Sequence, residues 1–291
     1  MPRIKTTLPA LSLLLCVLGC ALVTGCGQDR FTANTETNGT GNWYISGYYA
    51  TSNNAYFDAP YSFGGSLLNT SGNLTGVFHI DTSCFGNGAT DIPYTGTIDI
   101  HNNLSITSEP VEGQVLTLQG KLSADNSTLS NGFFSIIGGC SGSILSVPTI
   151  DLSGFYLRTI ALRVPSLTGS WETPGTGTIL PIGLFLTERF TQSSTPDAHG
   201  DYALSGTVTA QGSPCFTHGT IQPGSFLSGN QGDEKILMDD GSTLNVPLAL
   251  IYSQNGPNDQ GTLSFFDLGP GTITGGNCNG PFSASLQQVT G

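Results

Sequence analysis

The chain has 291 residues, a formal charge of −12 and only 8 lysines and arginines. That balance excludes a nucleic-acid footprint, which needs a basic patch, and it sets the body against anionic lipid headgroups unless divalent cations intervene. Hydrophobic residues at 37% and aromatics at 9% suffice for a packed core and exclude a disordered acidic chain.

Residues 1–25 carry the three parts of an export signal. Arg3 and Lys5 are the positive start. Leu8 to Val23 is apolar, interrupted by Pro9, Ser12 and Gly19, and Thr24 and Gly25 are the small residues before Cys26. The apolar run is shorter than the roughly 20 residues of a spanning helix. It ends in polar Gly27-Gln28-Asp29-Arg30 with no basic stop-transfer cluster, so removal of the leader is expected. Val23-Thr24-Gly25-Cys26 resembles the lipobox of bacterial lipoproteins: an aliphatic residue, two small ones, then cysteine. Val17-Leu18-Gly19-Cys20 is a partial competitor, but apolar residues still follow it. The resemblance implies a diacylglyceryl group on the Cys26 thiol and a palmitate-type acyl chain on its new α-amine. One chain holds a protein weakly and three hold it in effect permanently, so the membrane is a partner through lipid alone. Gly27 stands where an Asp would signal retention at the inner membrane, so the outer membrane is favoured.

Residues 26–40 are Thr-, Asn- and Gly-rich without apolar period and read as a lipidated tether. The body then shows short apolar alternations separated by Gly, Asn, Asp and Pro, the pattern of many strands and tight turns. Leu74, Gly76, Phe78 and Ile80 share one face, with Val77, His79 and Asp81 on the other. Over Tyr94–His101, Ile98 and Ile100 oppose Asp99 and His101. Leu116, Leu118, Gly120 and Leu122 oppose Thr117, Gln119 and Lys121, and Tyr202, Leu204, Gly206 and Val208 repeat the pattern later. Period two with one polar face marks an antiparallel sheet covering a core. Ile236–Asp239, then Asp240-Gly241, then Ser242–Val246 predicts a hairpin with a two-residue Asp-Gly turn.

Six stretches recur in order. Gly41-Asn42-Trp43 matches Gly169-Ser170-Trp171, and these are the only tryptophans. Leu74-Thr75-Gly76 matches Leu204-Ser205-Gly206, Cys84-Phe85 matches Cys215-Phe216, and Gly96-Thr97-Ile98 matches Gly219-Thr220-Ile221. Asn131 to Ile136 matches Gly261 to Leu268, and Gly139-Cys140-Ser141-Gly142 matches Asn277-Cys278-Asn279-Gly280. In-register repetition of this kind is the mark of a duplicated body: unit one over residues 41–165 and unit two over 166–291, with the break near Val164-Pro165-Ser166. The expected fold is all-β, two tandem antiparallel meanders of about seven to nine strands each, as small barrels or sandwiches.

Once Cys16, Cys20 and Cys26 are set aside, Cys84, Cys140, Cys215 and Cys278 remain. An even count in an exported chain reads as disulfides. Of three possible connectivities the repeat selects Cys84–Cys140 and Cys215–Cys278, one bridge inside each unit, with Phe85 and Phe216 expected beside them. No pair has the CxxC spacing of a zinc site.

The Gly-x-Trp at the start of each unit resembles the first-strand signature of lipocalins, in which Trp closes one end of an eight-stranded barrel. The likeness covers about one strand per unit and brings no binding residues. The body is similar to uncharacterised Gly/Thr-rich bacterial lipoproteins, a family with no assigned activity.

No catalytic, cofactor or metal set is expected. His79, Asp81, Asp99 and His101, at i and i+2 on neighbouring strands, form a conceivable metal set, but the same alternation turns them to solvent. No Gly-x-Ser-x-Gly elbow opens a helix, and Ser141 lacks the final Gly. Asp197 and Asp201 flank His199, and His218 stands apart, without an activated Ser or Cys. Glu109, Glu112, Glu172 and Glu188 are the glutamates considered as glycosidase acids. Asp239-Asp240-Gly241 is explained by its turn without calcium. Trp43-Tyr44, Tyr48-Tyr49, Tyr56-Phe57 and Tyr61-Ser62-Phe63 crowd the start of unit one, as core or as a groove for a glycan or protein partner. The expected role is structural or interactive, in a lipid-anchored envelope protein without catalytic activity. The alternatives are lipocalin-like binding of a small apolar ligand or glycan, and an envelope hydrolase.

Overall fold

A computed structural model describes residues 39–49, 59–81, 85, 91–144, 150–152, 155–157, 160–173, 184–253 and 262–289, and among these every regular element is a strand. The leader, Cys26, most of the tether and Cys84 lie outside the described residues.

The first sheet is a meander. It runs through β1 (Gly41–Tyr49), β2 (Ala59–Thr70), β3 (Asn73–Asp81), β4 (Asp91–Ile98), β5 (Asn103–Ser108), β6 (Leu116–Leu122), β7 (Leu129–Ile136) and β8 (Ser141–Ile144). A small separate hairpin follows, β9 (Ile150–Leu152) with β10 (Phe155–Leu157). The chain then returns as β11 (Ile160–Val164), antiparallel to β1. A bridge between Thr128 and Leu162, and the Arg163 N–H donating to the Ser127 carbonyl at 2.7 Å, bring β11 to the approach of β7. The sheet thereby curls onto itself.

The second sheet holds β12 (Gly169–Glu172), β13 (Phe185–Gln192), β14 (Tyr202–Gln211), β15 (His218–Ile221), β16 (Phe226–Ser228), β17 (Gln231–Met238), β18 (Thr243–Ser253), β19 (Thr262–Thr274) and β20 (Gly280–Gln288). Here β12 pairs with both β13 and β20, and β15 and β16 each lie between β14 and β17. The ring is closed, which leaves no edge strand to protect. Of the two architectures expected, both sheets take the barrel.

Alternation decides which side chains enter. In β3, Leu74, Phe78 and Ile80 are buried, and in β6 so are Leu116, Leu118 and Leu122. The strand read over Tyr94–His101 is shorter than expected: β4 stops at Ile98, and Ile100 is 53% exposed in the following turn. Its cause is Asp99, whose Oδ1 accepts the N–H groups of His101 and Asn103, both at 2.8 Å. That local arrangement competes with the ladder and ends the strand. The hairpin expected at Asp240-Gly241 is present, but its loop has three residues, Asp239 to Gly241, and not two: the Met238 N–H donates to the Ser242 carbonyl at 2.9 Å and the Gly241 N–H to the Met238 carbonyl at 3.0 Å, with Gly241 at φ 83 as the left-handed residue that closes such a loop.

The matched stretches fall on corresponding strands. Trp43 and Trp171 stand on the first strand of each sheet, both 1% exposed. Each indole N–H donates to the carbonyl four residues earlier, Gly39 at 2.6 Å and Leu167 at 2.8 Å. Leu74-Thr75-Gly76 and Leu204-Ser205-Gly206 lie on the third strands, and Gly96-Thr97-Ile98 and Gly219-Thr220-Ile221 on the fourth. Cys140 and Cys278 just precede the last strand of each meander. Cys215 and Cys278 are bridged with a Cα separation of 5.7 Å. Cys140 is buried and disulfide-bonded. Phe85 and Phe216 are both buried, in the first and second cores respectively.

The barrels touch. Ile160, Leu162 and Val164 of β11, a strand of the first sheet, belong to the apolar cluster of the second barrel, while Ala161 faces the first. Asn42 Nδ2 donates to the Gly229 carbonyl at 2.8 Å, and its Oδ1 accepts from the Gly229 N–H at 2.7 Å. Gly64 and Gly229 meet backbone to backbone, and a Cβ on Gly64 would lie 2.9 Å from the Gly229 Cα. Only residues without side chains allow that approach.

Candidate functional site

Beside this junction, groups from both barrels converge. His79 on β3 stands directly opposite Asp91 on β4. From the second barrel comes the loop between β13 and β14. Asp197 Oδ1 shapes it by accepting the N–H groups of His199 at 2.8 Å and Asp201 at 3.0 Å, an Asx-type turn. Gly200, at φ +85, presses on the first barrel, where a Cβ would lie 2.9 Å from the Val77 Cβ.

The loop delivers His199 and Asp201 to the other two. Asp91 lies between both imidazoles, 3.3 Å from His79 Nδ1 and 2.7 Å from His199 Nδ1. His79 Nε2 is 3.2 Å from Asp201 Oδ1 and 3.0 Å from the His199 carbonyl. The carbonyl can only accept, so Nε2 carries a proton. Burial by itself would lower the His79 pKa, but Asp201, Asp91 and the carbonyl outweigh it and the net shift is upward. For His199 the bond to Asp91 leads the causes, and its pKa is raised as well. Because the two ring nitrogens of His79 face different carboxylates, the four residues do not share one focus. Among the described residues no three His, Cys, Asp or Glu could hold a metal ion.

These groups form one wall of a pocket of about 610 Å³, within the range of small-ligand sites. The other wall is the β16–β17 hairpin and β18: Phe226, Ser228, Asn230, Gln231, Asp233 and Pro247. Among the described residues, no lysine or arginine lines it.

The set His79, Asp81, Asp99 and His101 is not assembled. Antiparallel pairing places Asp91, not Asp99, opposite His79, and Asp99 and His101 lie beyond the far end of β4. The Asp81 side chain is outside the described residues. Asp201 and His199 complete the cluster instead, from more than 100 residues away. His218 meets its chain neighbour Thr217 at 2.7 Å on the surface. Of the aromatic crowd, Trp43, Tyr61 and Phe63 are buried core. Tyr56 and Phe57, and the side chains of Tyr48 and Tyr49, lie outside the described residues.

A second constellation lies inside the second barrel. Glu188 on β13 and Glu234 on β17 are fully buried, and none of their four carboxyl oxygens has a hydrogen-bond partner. Desolvation pushes the Glu188 pKa up to about 8. It raises Glu234 well above the ordinary range, and Glu188 adds to the shift. Glu188 is one of the four strand glutamates named from the sequence, and Glu234 is not among them. The signal was parity: Glu188 is in phase with Leu186 and Phe190, and Glu234 with Ile236 and Met238, all of them buried.

No family model and no curated protein sequence matches the chain. Among solved structures it is similar to a porin-like protein from Bacteroides uniformis ATCC 8492. The two share 9% sequence identity with a TM-score of 0.17, over 87% of this chain and 96% of that one. A likeness of that size carries nothing about the role of this chain.

Proposed function

We propose that the protein is a lipid-anchored component of the cell envelope, at the outer membrane, whose folded body binds a partner or ligand and performs no catalysis. The observation that carries the binding role is the pocket between the barrels, where polar side chains from two sheets meet on a concave surface of ligand size. The anchor rests on the lipobox at Cys26. With the β body held outside the bilayer by lipid, an acidic surface is no obstacle to attachment.

The lipocalin-like alternative asks for an apolar cavity within a barrel. Against it, Tyr61, Phe63, Phe78, Tyr94 and Phe134 pack in the first barrel with ring centroids 4.4–6.1 Å apart. A hydrolase asks for an acid or nucleophile free to react. In the pocket, His79 and His199 instead direct ring nitrogens at Asp91 and Asp201.

Native mass spectrometry of the full chain purified from its host membranes tests both parts. The expected result is an acylated N-terminal Cys26 and a retained ligand or partner. A non-acylated N-terminus elsewhere, or Cys26→Ser protein still held in membranes, overturns the anchor. A bare chain at every concentration overturns the binding role.

A further inference from the structure

We infer that the pocket between the barrels takes a neutral, polyhydroxylated ligand, a short saccharide. This rests on the binding role proposed above and names the ligand class for the same site. The first observation is an unanswered polar atom. Ser228 lines the pocket at 8% exposure, and its Oγ has no hydrogen-bond partner. A buried hydroxyl left unpaired costs free energy, and because the Oγ itself is closed to solvent, a ligand hydroxyl recovers that cost by drawing the Ser228 side chain toward the pocket. The second is the charge of the wall. The described lining residues include no lysine or arginine, and His79 and His199 are already paired with Asp91 and Asp201, so phosphate and carboxylate ligands find no free counter-charge. Asp91 and Asp201 already face His79 and His199, so a cationic ligand meets Asp233 as the one acid outside that network. What remains is a mixture of donors and acceptors: the amides of Asn230 and Gln231, the carboxylate of Asp233 and the Ser228 hydroxyl. A sugar hydroxyl both donates and accepts, and vicinal hydroxyls match such a mixture where a single charge does not. Phe226, half-buried, and Pro247, exposed, supply apolar surface for the C–H face of a sugar ring.

The test uses the full chain in detergent, applied to an array of neutral oligosaccharides, acidic oligosaccharides and, separately, to spermidine. Binding is then quantified by calorimetry with the best neutral saccharide. Ser228→Ala and Asp233→Asn are compared with the parent after circular dichroism shows the fold intact. Asp233 is exposed, so its variant serves should Ser228→Ala fail to fold. Saccharide binding weakened about tenfold by either substitution supports the inference. Binding confined to acidic glycans or spermidine overturns the ligand class and leaves the binding role standing. Neutral saccharide binding that neither substitution alters overturns the site. No binding by any class, together with a bare native mass, overturns both.

Discussion

The two barrels share an architecture and differ in what fills them. The first is packed with rings, Phe78 stacked on Tyr94 at 4.4 Å and Phe134 tilted against Tyr61 at 4.5 Å. The second is packed with leucine, isoleucine and valine, and carries two carboxyls with no partner. Backbone closure differs in the opposite sense: the second ring is joined by ladders on all sides, the first, among the described residues, by the Thr128–Leu162 bridge and the Arg163–Ser127 hydrogen bond. Edge-to-face and stacked rings add about 0.5–1.5 kcal/mol per pair beyond area burial, and an unsatisfied buried polar group costs about 1–3 kcal/mol. The less completely laddered barrel thus has the more favourable interior, and the fully laddered one carries the polar cost.

The largest expected effect comes from removing that cost. Glu188→Leu with Glu234→Leu should stabilise the second barrel by about 1–3 kcal/mol per carboxyl. It should also change the pH profile. Both carboxyls have raised folded-state pKa values, so their protonated forms favour folding fully below the unfolded value of 4.5. That stability is lost as pH climbs through the folded value, about 8 for Glu188, and the total is several kcal/mol. No titratable neighbour answers them across the ladder: Glu188 lies opposite Trp171 and Val208, and Glu234 opposite Val246. Urea melts of the parent should therefore weaken from pH 5 to pH 8. The double Gln variant should flatten that slope without the apolar gain. A parent profile that is already flat would show that the two interiors do not differ electrostatically.

The second contrast concerns the bridges. Cys215–Cys278 closes a loop across a sequence separation of 63, which the chain-entropy model values at about 4 kcal/mol. Cys215→Ala with Cys278→Ala should lower stability by about 2–5 kcal/mol. Hydrogen exchange should show the loss in β17–β20 and, through the apolar contacts of Ile160, Leu162 and Val164, in β11. Protection in β3–β6 should hold, since distant sites act additively. Equal loss in β3–β6 would mean that the barrels unfold as one unit and that the comparison has no energetic content.

How much of this was legible follows from the range of each interaction. Period two set the faces of β3, β6 and β14, because alternation is a local property of the chain. Matching stretches at Trp43 and Trp171, and at Cys140 and Cys278, placed corresponding strands in register order. The end of β4 was not legible, because the Asp99 side chain takes backbone donors that the alternation of Ile98 and Ile100 ignores. The pocket was not legible at all. His79 and His199 are 120 residues apart, and nothing in either neighbourhood marks the other. Asp91 was obscured for a different reason: register, and not the spacing of i and i+2, decides which strand residue faces His79. Glu234 was legible in principle through its parity with Ile236 and Met238, but its neighbours Asp233 and Lys235 give the stretch a charged, surface-like look.

A smaller effect is expected at the junction. Asn42 is buried and makes both hydrogen bonds to Gly229. Asn42→Ala leaves that N–H and carbonyl without partners and should cost about 1–3 kcal/mol. The loss belongs to the contact between barrels and not to either interior. Proteolysis at low enzyme concentration should find the β16–β17 turn opened while Trp43 and Trp171 fluorescence stays native. Shifted tryptophan emission would place the damage inside a barrel and not at the junction.

The smallest effect is the pH response of the His79 network, which has to be read apart from that of the glutamates. Both weaken the protein as pH rises, since His79, His199, Glu188 and Glu234 all have raised pKa values. For His79 the stabilisation is complete below its ordinary value of 6.5 and fades as pH passes the raised one. The window therefore begins where that of Glu188, from 4.5 to about 8, is already half crossed. His79 is partly exposed, with 26% side-chain exposure, so solvent screening holds the contribution to a fraction of a kcal/mol. In a Glu188→Gln, Glu234→Gln background the remaining decline between pH 6 and pH 8 should be small, sensitive to salt and absent when His79→Gln and His199→Gln are both added, since His199 is raised as well. A decline that survives both histidine substitutions would assign the pH response to groups inside the barrels. The contact between the barrels would then be a neutral joint, held by Asn42, Gly64 and Gly229 with no electrostatic contribution from the four residues beside it.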